Sequence, residues 1–493
     1  MTGKNETRNR AKDRAARWSN TKHRWLAQVG GISLLVWGLS GLTHIAMVLF
    51  GPQQTQFMPP TAPLTLAGAP PLAQTLAEAG IGRAAAIRTV AGQEGSLLQV
   101  TSDPMAPRRY FDLQQGTEPP GHDRVQAAFL ARHFLNEQRS VAAIDFQQEF
   151  DAEYPLINRL LPVWRVRFAG DDRLTAYVHT ETSSIAAVNN VTKTRLQTVF
   201  RYLHTWEWVP ASMDWLPLLM FSLSGLYHLI QSAIEPPVQH LRMADPIDLS
   251  GQRFPIAEQW DQLTAGLDVA SVSLVEGANG RPLYRLGLAA PTGKAGMAEH
   301  DHSGDEKRSS DPRAGHMMAG DVPNPAPTTA QEIRNARFDG VQPTGPAYYI
   351  DAATGAAVPH GDREIARVIA NRYLGASDAQ IAGMKLITRF GAEYDFRNKR
   401  LPVWRVDYGA PHDASVFVDT ATGTFVDRLE NWQKPERTVF SMVHKWNFLF
   451  PIGRTGLNAV VGGIVVALIV LMGVLGLRMY LRGRRGRARH ARG

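Results

Sequence analysis

The chain has no cysteine among its 493 residues. That absence excludes disulfide staples, thiolate metal sites, c-type haem attachment and cysteine nucleophiles together, and it leaves the compartment open. There is also no Gly-x-Gly-x-x-Gly after a strand, no Walker A loop, no His-Glu-x-x-His and no Gly-x-Ser-x-Gly. A redox enzyme made from this chain therefore lacks its own nicotinamide or flavin site. It would draw electrons from a quinol or a redox-partner protein. Basic charge is scarce away from the ends. The formal charge is +8, yet residues 1–25 hold eight basic side chains against Glu6 and Asp13, and residues 478–493 hold seven arginines and no acid. The 452 residues between them are net −5. Base confined to the two ends, each beside an apolar run, argues for membrane anchoring and against a nucleic-acid groove.

Long uncharged runs are few. Residues 25–51, 215–234 and 455–477 carry no formal charge, and about 20 apolar residues suffice to cross a bilayer core. The expectation is three integral membrane segments: membrane helix 1 at 25–51, a second segment within 199–235, and membrane helix 3 at 455–477. Residues 1–24 and 478–493 then form basic cytoplasmic tails. Two cytoplasmic tails demand an even number of crossings. The middle segment, which contains Pro217, is therefore read as re-entrant, and the side of the second domain stays open.

The remainder is duplicated. Leu161-Pro-Val-Trp-Arg-Val-Arg-Phe168 recurs as Leu401-Pro-Val-Trp-Arg-Val-Asp-Tyr408. At the same offset of 240, Ala152-Glu153-Tyr154 falls on Ala392-Glu393-Tyr394, and His204 and Trp206 fall on His444 and Trp446. Upstream, Leu39-Ser-Gly-Leu42 with His44 recurs as Leu223-Ser-Gly-Leu226 with His228 at offset 184. The hairpin glycines Gly92 and Gly95 match Gly277 and Gly280, whereas Tyr110 and Asp112 match Tyr349 and Asp351. The second copy thus carries an insert of roughly 55 residues over 290–343, rich in Gly, Pro and charge, whose composition builds no core.

Within a unit the pattern is α+β: a hairpin, a strand near 110–113, an amphipathic helix near 123–136, then strands near 147–153, 161–168, 175–179 and 185–188. The second helix is placed at 362–374. The expected fold class is α+β, with integral membrane helices carrying two tandem-duplicated helix-on-antiparallel-sheet domains at 80–198 and 250–436. Arg165 with Glu153, and Arg405 with Glu393, are set either to pair across a sheet or to meet an anionic ligand.

The Pro-Val-Trp-Arg-Val strands, the acidic turns Asp112–Gly116 and Asp351–Gly355, and the His-x-Trp entries to helices resemble the PepSY-associated transmembrane proteins. The resemblance covers nearly the whole chain except the insert. It implies a bacterial inner-membrane, multi-pass protein with large extracytoplasmic domains. Some members resemble ferric-siderophore reductases that carry haem on membrane-helix histidines. Others look like modulators of peptidases.

That frame singles out histidines. Ionisable groups within a span usually face a bundle interior or a cofactor, and imidazoles from two helices can clamp a haem iron. His44, His204, His228 and His444 are the candidate ligands of haem b, with His23 at the inner edge as a further option. The competing reading makes them interfacial anchors beside Trp206 and Trp446. In the insert, His300, His302 and His316, with Met297, Met317 and Met318, form a candidate metal-binding set or an ordinary solvated loop. The functional expectation is a haem-dependent ferric reductase passing electrons outward from a quinol or redox partner to a ferric siderophore or ferric iron. The alternative is a non-catalytic module, anchored in the lipid bilayer, that binds a peptidase or envelope protein.

Overall fold

The computed structural model describes residues 36–204 apart from 37, 48 and 57, then 246–249, 256–277, 280–289, 345–388, 400–439 and 453–490, with a few single positions between. The described chain divides into a helical unit (1–51, 191–234 and 439–493) and an α+β unit (52–190 and 235–438).

Seventeen strands of the α+β unit lie among the described residues. The first repeat begins with β1 (Arg83–Ala84), β2 (Ala86–Ala91), β3 (Ser96–Thr101) and β4 (Arg109–Asp112). Helix α1 (His122–Leu135) follows, and then β5 (Val141–Gln147), β6 (Val163–Phe168), β7 (Thr175–His179) and β8 (Ser184–Asn189). The second repeat runs β9 (Ile247–Asp248), β10 (Val269–Glu276), β11 (Pro282–Leu288), β12 (Ala347–Asp351) and β13 (Ala357–Val358). It closes with α2 (Asp362–Leu374), β14 (Ile381–Ile387), β15 (Val403–Tyr408), β16 (Ala414–Asp419) and β17 (Thr424–Glu430).

Each repeat ends in its own four-stranded meander, β5-β6-β7-β8 and β14-β15-β16-β17. The hairpins, however, do not stay separate. They join into one seven-stranded sheet, β13-β12-β11-β10-β2-β3-β4, through antiparallel pairing of β10 with β2. Arg88 pairs with Ser273, and at the hairpin offset of 185 these are equivalent positions. A strand that pairs antiparallel with its own counterpart lies on a twofold axis. The expected pair of tandem domains is therefore one pseudo-twofold body. Pairing the two edges buries backbone groups that each hairpin alone would leave open.

The helices follow from apolar spacing. Helix α1 buries Ala127, Leu130, Ala131 and Phe134 against Trp164, Val166 and Val178 of the first meander. Helix α2 buries Ile365, Ala366 and Ile369 against Trp404, Val406 and Val416, and against Leu283 and Tyr349 of the large sheet. The other face of that sheet is covered by the short helices Leu72–Glu78 and Trp260–Leu263, around Leu76, Trp260 and Leu274. Both acidic turns are local structure. Asp112 Oδ1 accepts from Gln114 and Gln115 N–H at 2.8 Å, and Asp351 Oδ1 accepts from Ala353 and Thr354 N–H at 2.9 Å. A strand expected near 147–153 lies instead at Val141–Gln147. Asp151 captures the following segment in a turn, accepting from Glu153 and Tyr154 N–H at 2.9 and 2.7 Å, which competes with a strand ladder.

In the helical unit, helical residues 38–47 pack on the helix Gly453–His490, with Gly38 facing Val465 and Ile469, and Gly462 facing Ile45. The membrane expectation is corrected here. Among the described residues no helix is long and apolar enough to cross a membrane. Of the run 25–51, helical residues are described at 36, 38–47 and 49–50. Of the second segment, 199–235, residues 205–235 lie outside the described residues, as do the tail 1–24 and the insert 290–343. The third run lies in Gly453–His490, but that helix carries Arg454 and six arginines from Arg478 onward. Residues 478–490 continue that helix. Freedom from charge over some 20 residues is a weaker property than an apolar helix of spanning length. The inner-membrane, multi-pass placement and the transmembrane helices of the expected fold class are therefore withdrawn.

Candidate functional site

Of the four candidate haem ligands, His44 is an exposed residue of the helical segment 38–47. Its ring lies 5.6 Å from that of Phe200, tilted by 40°. Phe200 belongs to the helix Val191–His204, whose last residue is therefore one turn beyond it on the same face. Two of the predicted histidine positions thus occupy neighbouring faces of two helices in one unit. His23, His228 and His444 lie outside the described residues, as do His300, His302 and His316. Among the described residues no group of three or more His, Asp or Glu could hold a metal ion.

The pairs Arg165–Glu153 and Arg405–Glu393 are structural. Arg405 meets Glu393 at 2.5 Å, and Arg165 lies 3.6 Å from Asp151 and 3.9 Å from Glu153.

The densest polar assembly in the α+β unit was missed from sequence. Glu181, in the β7–β8 turn, is buried and clamped by two guanidinium groups: Arg108 Nη2 at 3.1 Å and Arg400 Nη2 at 2.5 Å. Arg400 also donates to Asp419 at 3.0 Å and to Thr422 Oγ1 at 3.3 Å. Burial alone would raise the Glu181 carboxyl, but Arg400 and Arg108 prevail and hold it well below the usual carboxylate range. Beside it His179 is buried, and burial together with Arg108, Arg400 and Arg88 lowers its imidazole to about 3. Its Nδ1 accepts from Thr182 N–H at 3.3 Å and lies 2.8 Å from Thr182 Oγ1.

A second chain of bonds orients the start of each central helix. In the first repeat Gln99 donates to Tyr110 OH at 2.8 Å, and Tyr110 donates to Asp123 Oδ1 at 2.8 Å. Trp164 Nε1 and Arg108 N–H supply Asp123 Oδ2 at 2.7 and 3.0 Å. In the second repeat Arg285 pairs with Tyr349 across the ladder as Gln99 does with Tyr110. Arg285 takes both Asp362 oxygens at 2.8 Å, and Tyr349 donates at 2.5 Å. Trp404, the counterpart of Trp164, is left with a buried indole N–H that has no partner among the described residues. Burial raises both Tyr110 and Tyr349 well above the ordinary phenol value.

Differences between the repeats were the available signal. At offset 240 Glu181 falls on Ala421 and Arg400 falls on Leu160, so each partner of the central ion pair exists in only one copy. Reading the repeat for identities passes over both.

No family model, no curated protein and no solved structure matches this chain. The geometry by itself defines a duplicated α+β body with a buried, asymmetric ionic centre, and a helical unit in which the His44 ring meets that of Phe200.

Proposed function

We propose that the helical unit binds haem b through His44 and His204, and that the protein delivers electrons from a quinol or protein donor to ferric iron, free or chelated by a siderophore. The observation that carries this reading is the contact of the His44 ring with Phe200, one turn from His204 on a second helix. Two imidazoles from two helices are the donor set that b-type haem takes. His228 and His444 repeat the same two sequence settings and are the corresponding pair for a second site. The resemblance to PepSY-associated proteins supports the assignment.

A haem so held would supply one-electron chemistry at its iron. His44 and His204 would act as ligands, and Phe200 would hold the His44 ring in place. The α+β body would position the ferric substrate or the donor protein. No bilayer placement enters the proposal.

Titration of the purified full-length protein with hemin tests it. The expected result is a Soret band with α and β bands that sharpen on reduction. His44→Ala and His204→Ala are each expected to lose more than half of the bound haem, with the thermal transition unchanged. A folded, colourless preparation overturns the reading in favour of a non-catalytic module that binds a peptidase or envelope protein.

A further inference from the structure

The two repeats share one fold, so exposed charge that is present at one place in one copy and missing from the other, unlike the buried Glu181–Arg400 pair, is not required by that fold. One cleft meets that description. It lies in the second repeat between the β10–β11 turn and α2, has a volume of about 150 Å³, and is lined by apolar Leu283, Val358, Ile365 and Val368 under a charged rim. An apolar cavity of about this size holds one benzene ring.

The rim carries Arg281, His360, Asp351, Glu364 and Arg367. Three of these are already engaged. Asp351 binds the amides of its own turn at 2.9 Å. Glu364 accepts from Arg367 at 2.8 Å, and Arg367 also donates to Asp378. The Arg281 and His360 side chains are exposed, and Arg281 lies near enough to Asp351 to help lower its carboxyl. The rim thus offers two solvent-facing nitrogen donors beside an apolar lining.

The first repeat lacks both. The second hairpin turn is one residue longer, so Gly95, which matches Gly280 in sequence, takes the place of Arg281 in the turn: Gly92 N–H bonds Gly95 O at 2.6 Å as Gly277 N–H bonds Arg281 O at 2.8 Å. At offset 239 His360 falls on Gly121, Glu364 on Val125, Arg367 on Ala128 and Val368 on the larger Phe129. These rim charges are thus particular to the second copy, and the first copy has a larger residue where the second has Val368.

We infer that this cleft binds a small carboxylate with a ring-sized apolar body, the carboxylate held by Arg281 and His360 and the body seated on Leu283, Val358, Ile365 and Val368. A bidentate guanidinium–carboxylate contact gives such a site its direction, while the apolar floor contributes contact area and excludes water. The inference does not depend on haem.

Ligand-observed NMR titration of the full-length protein with benzoate tests it, with benzyl alcohol and benzylamine as probes of the same ring without the anion. Benzoate is expected to bind with a Kd of about 1 mM, and each neutral or cationic analogue at least tenfold more weakly. Arg281→Ala and His360→Ala remove rim donors from the surface. Each is expected to weaken benzoate binding about tenfold with the thermal transition unchanged. Val368→Phe installs the first repeat's residue, keeps every charge and fills the floor, and is expected to abolish binding. Absence of saturable benzoate binding overturns the proposal. So does binding of all three probes alike, or binding that survives Arg281→Ala and Val368→Phe.

Discussion

Glu181 and Arg400, 219 residues apart in the chain, meet at 2.5 Å with side chains only 2% and 4% exposed. Each comes from a different repeat, and each has an uncharged counterpart in the other copy. Two first repeats would lack the arginine and two second repeats would lack the glutamate. The pair therefore specifies association of unlike halves, a task buried ionic groups perform in other assemblies.

Removing one partner leaves charge buried without compensation. Glu181→Ala strands Arg108 and Arg400 against each other and is expected to cost about 3–5 kcal/mol. Arg400→Leu leaves Glu181 with Arg108 and should cost less. The double variant Glu181→Ala/Arg400→Leu takes both residues from the opposite repeat. It is expected to be less destabilised than the sum of the singles by about 1 kcal/mol or more. Urea unfolding of the four proteins measures this, and additive effects would remove the coupling.

His179 makes stability depend on pH in a defined window. Its folded pKa is about 3, against an unfolded value of about 6.5. The unfolded chain thus takes up the proton first as pH falls. The stabilisation is fully present above about pH 6.5 and declines by up to ~1.4 kcal/mol per pH unit toward about pH 3. Protonation would also break the Thr182 N–H bond to Nδ1. Glu181, held below its usual range by Arg400 and Arg108, adds loss of the same sign below the unfolded carboxylate value of about 4.3. His179→Gln is expected to flatten the profile between pH 6.5 and 4.5. Denaturant midpoints across that range decide it, and an unchanged slope would show that other groups carry the effect.

The two tryptophans of the Pro-Val-Trp-Arg-Val strands should respond differently to the same substitution. Trp164→Phe deprives Asp123 Oδ2 of a donor at 2.7 Å and is expected to cost about 1–3 kcal/mol. Trp404→Phe removes an indole N–H that has no partner among the described residues, so only lost packing remains, about 1 kcal/mol or less. Equal losses in thermal or urea unfolding would show that the identical motifs sit in equivalent environments.

Much of the repeat was legible because identity and periodicity act locally. The helix expected at 362–374 is observed as Asp362–Leu374, and that expected near 123–136 as His122–Leu135. Both have an apolar face that spaces every third or fourth residue. The strand displaced to Val141–Gln147 shows where local rules failed, since a single carboxylate, Asp151, reassigns the next turn. Uncharged length alone misled the membrane reading. Of the haem candidates only His44 has a described side chain, and its approach to Phe200 depends on helix packing that the pattern around either residue does not contain.

The sequence by itself determined that this protein is a duplication, which segments are helical, and that its basic charge lies at the ends. Those properties are carried by residues within a few turns of one another. Tertiary structure alone decided that the two hairpins fuse into one sheet about Arg88 and Ser273, and that Glu181 finds Arg400. It also decided that Arg281 and His360 of the second repeat lie beside one cleft. The first two depend on pairing residues over a hundred positions apart, where backbone edges and buried charges seek partners that no local pattern names.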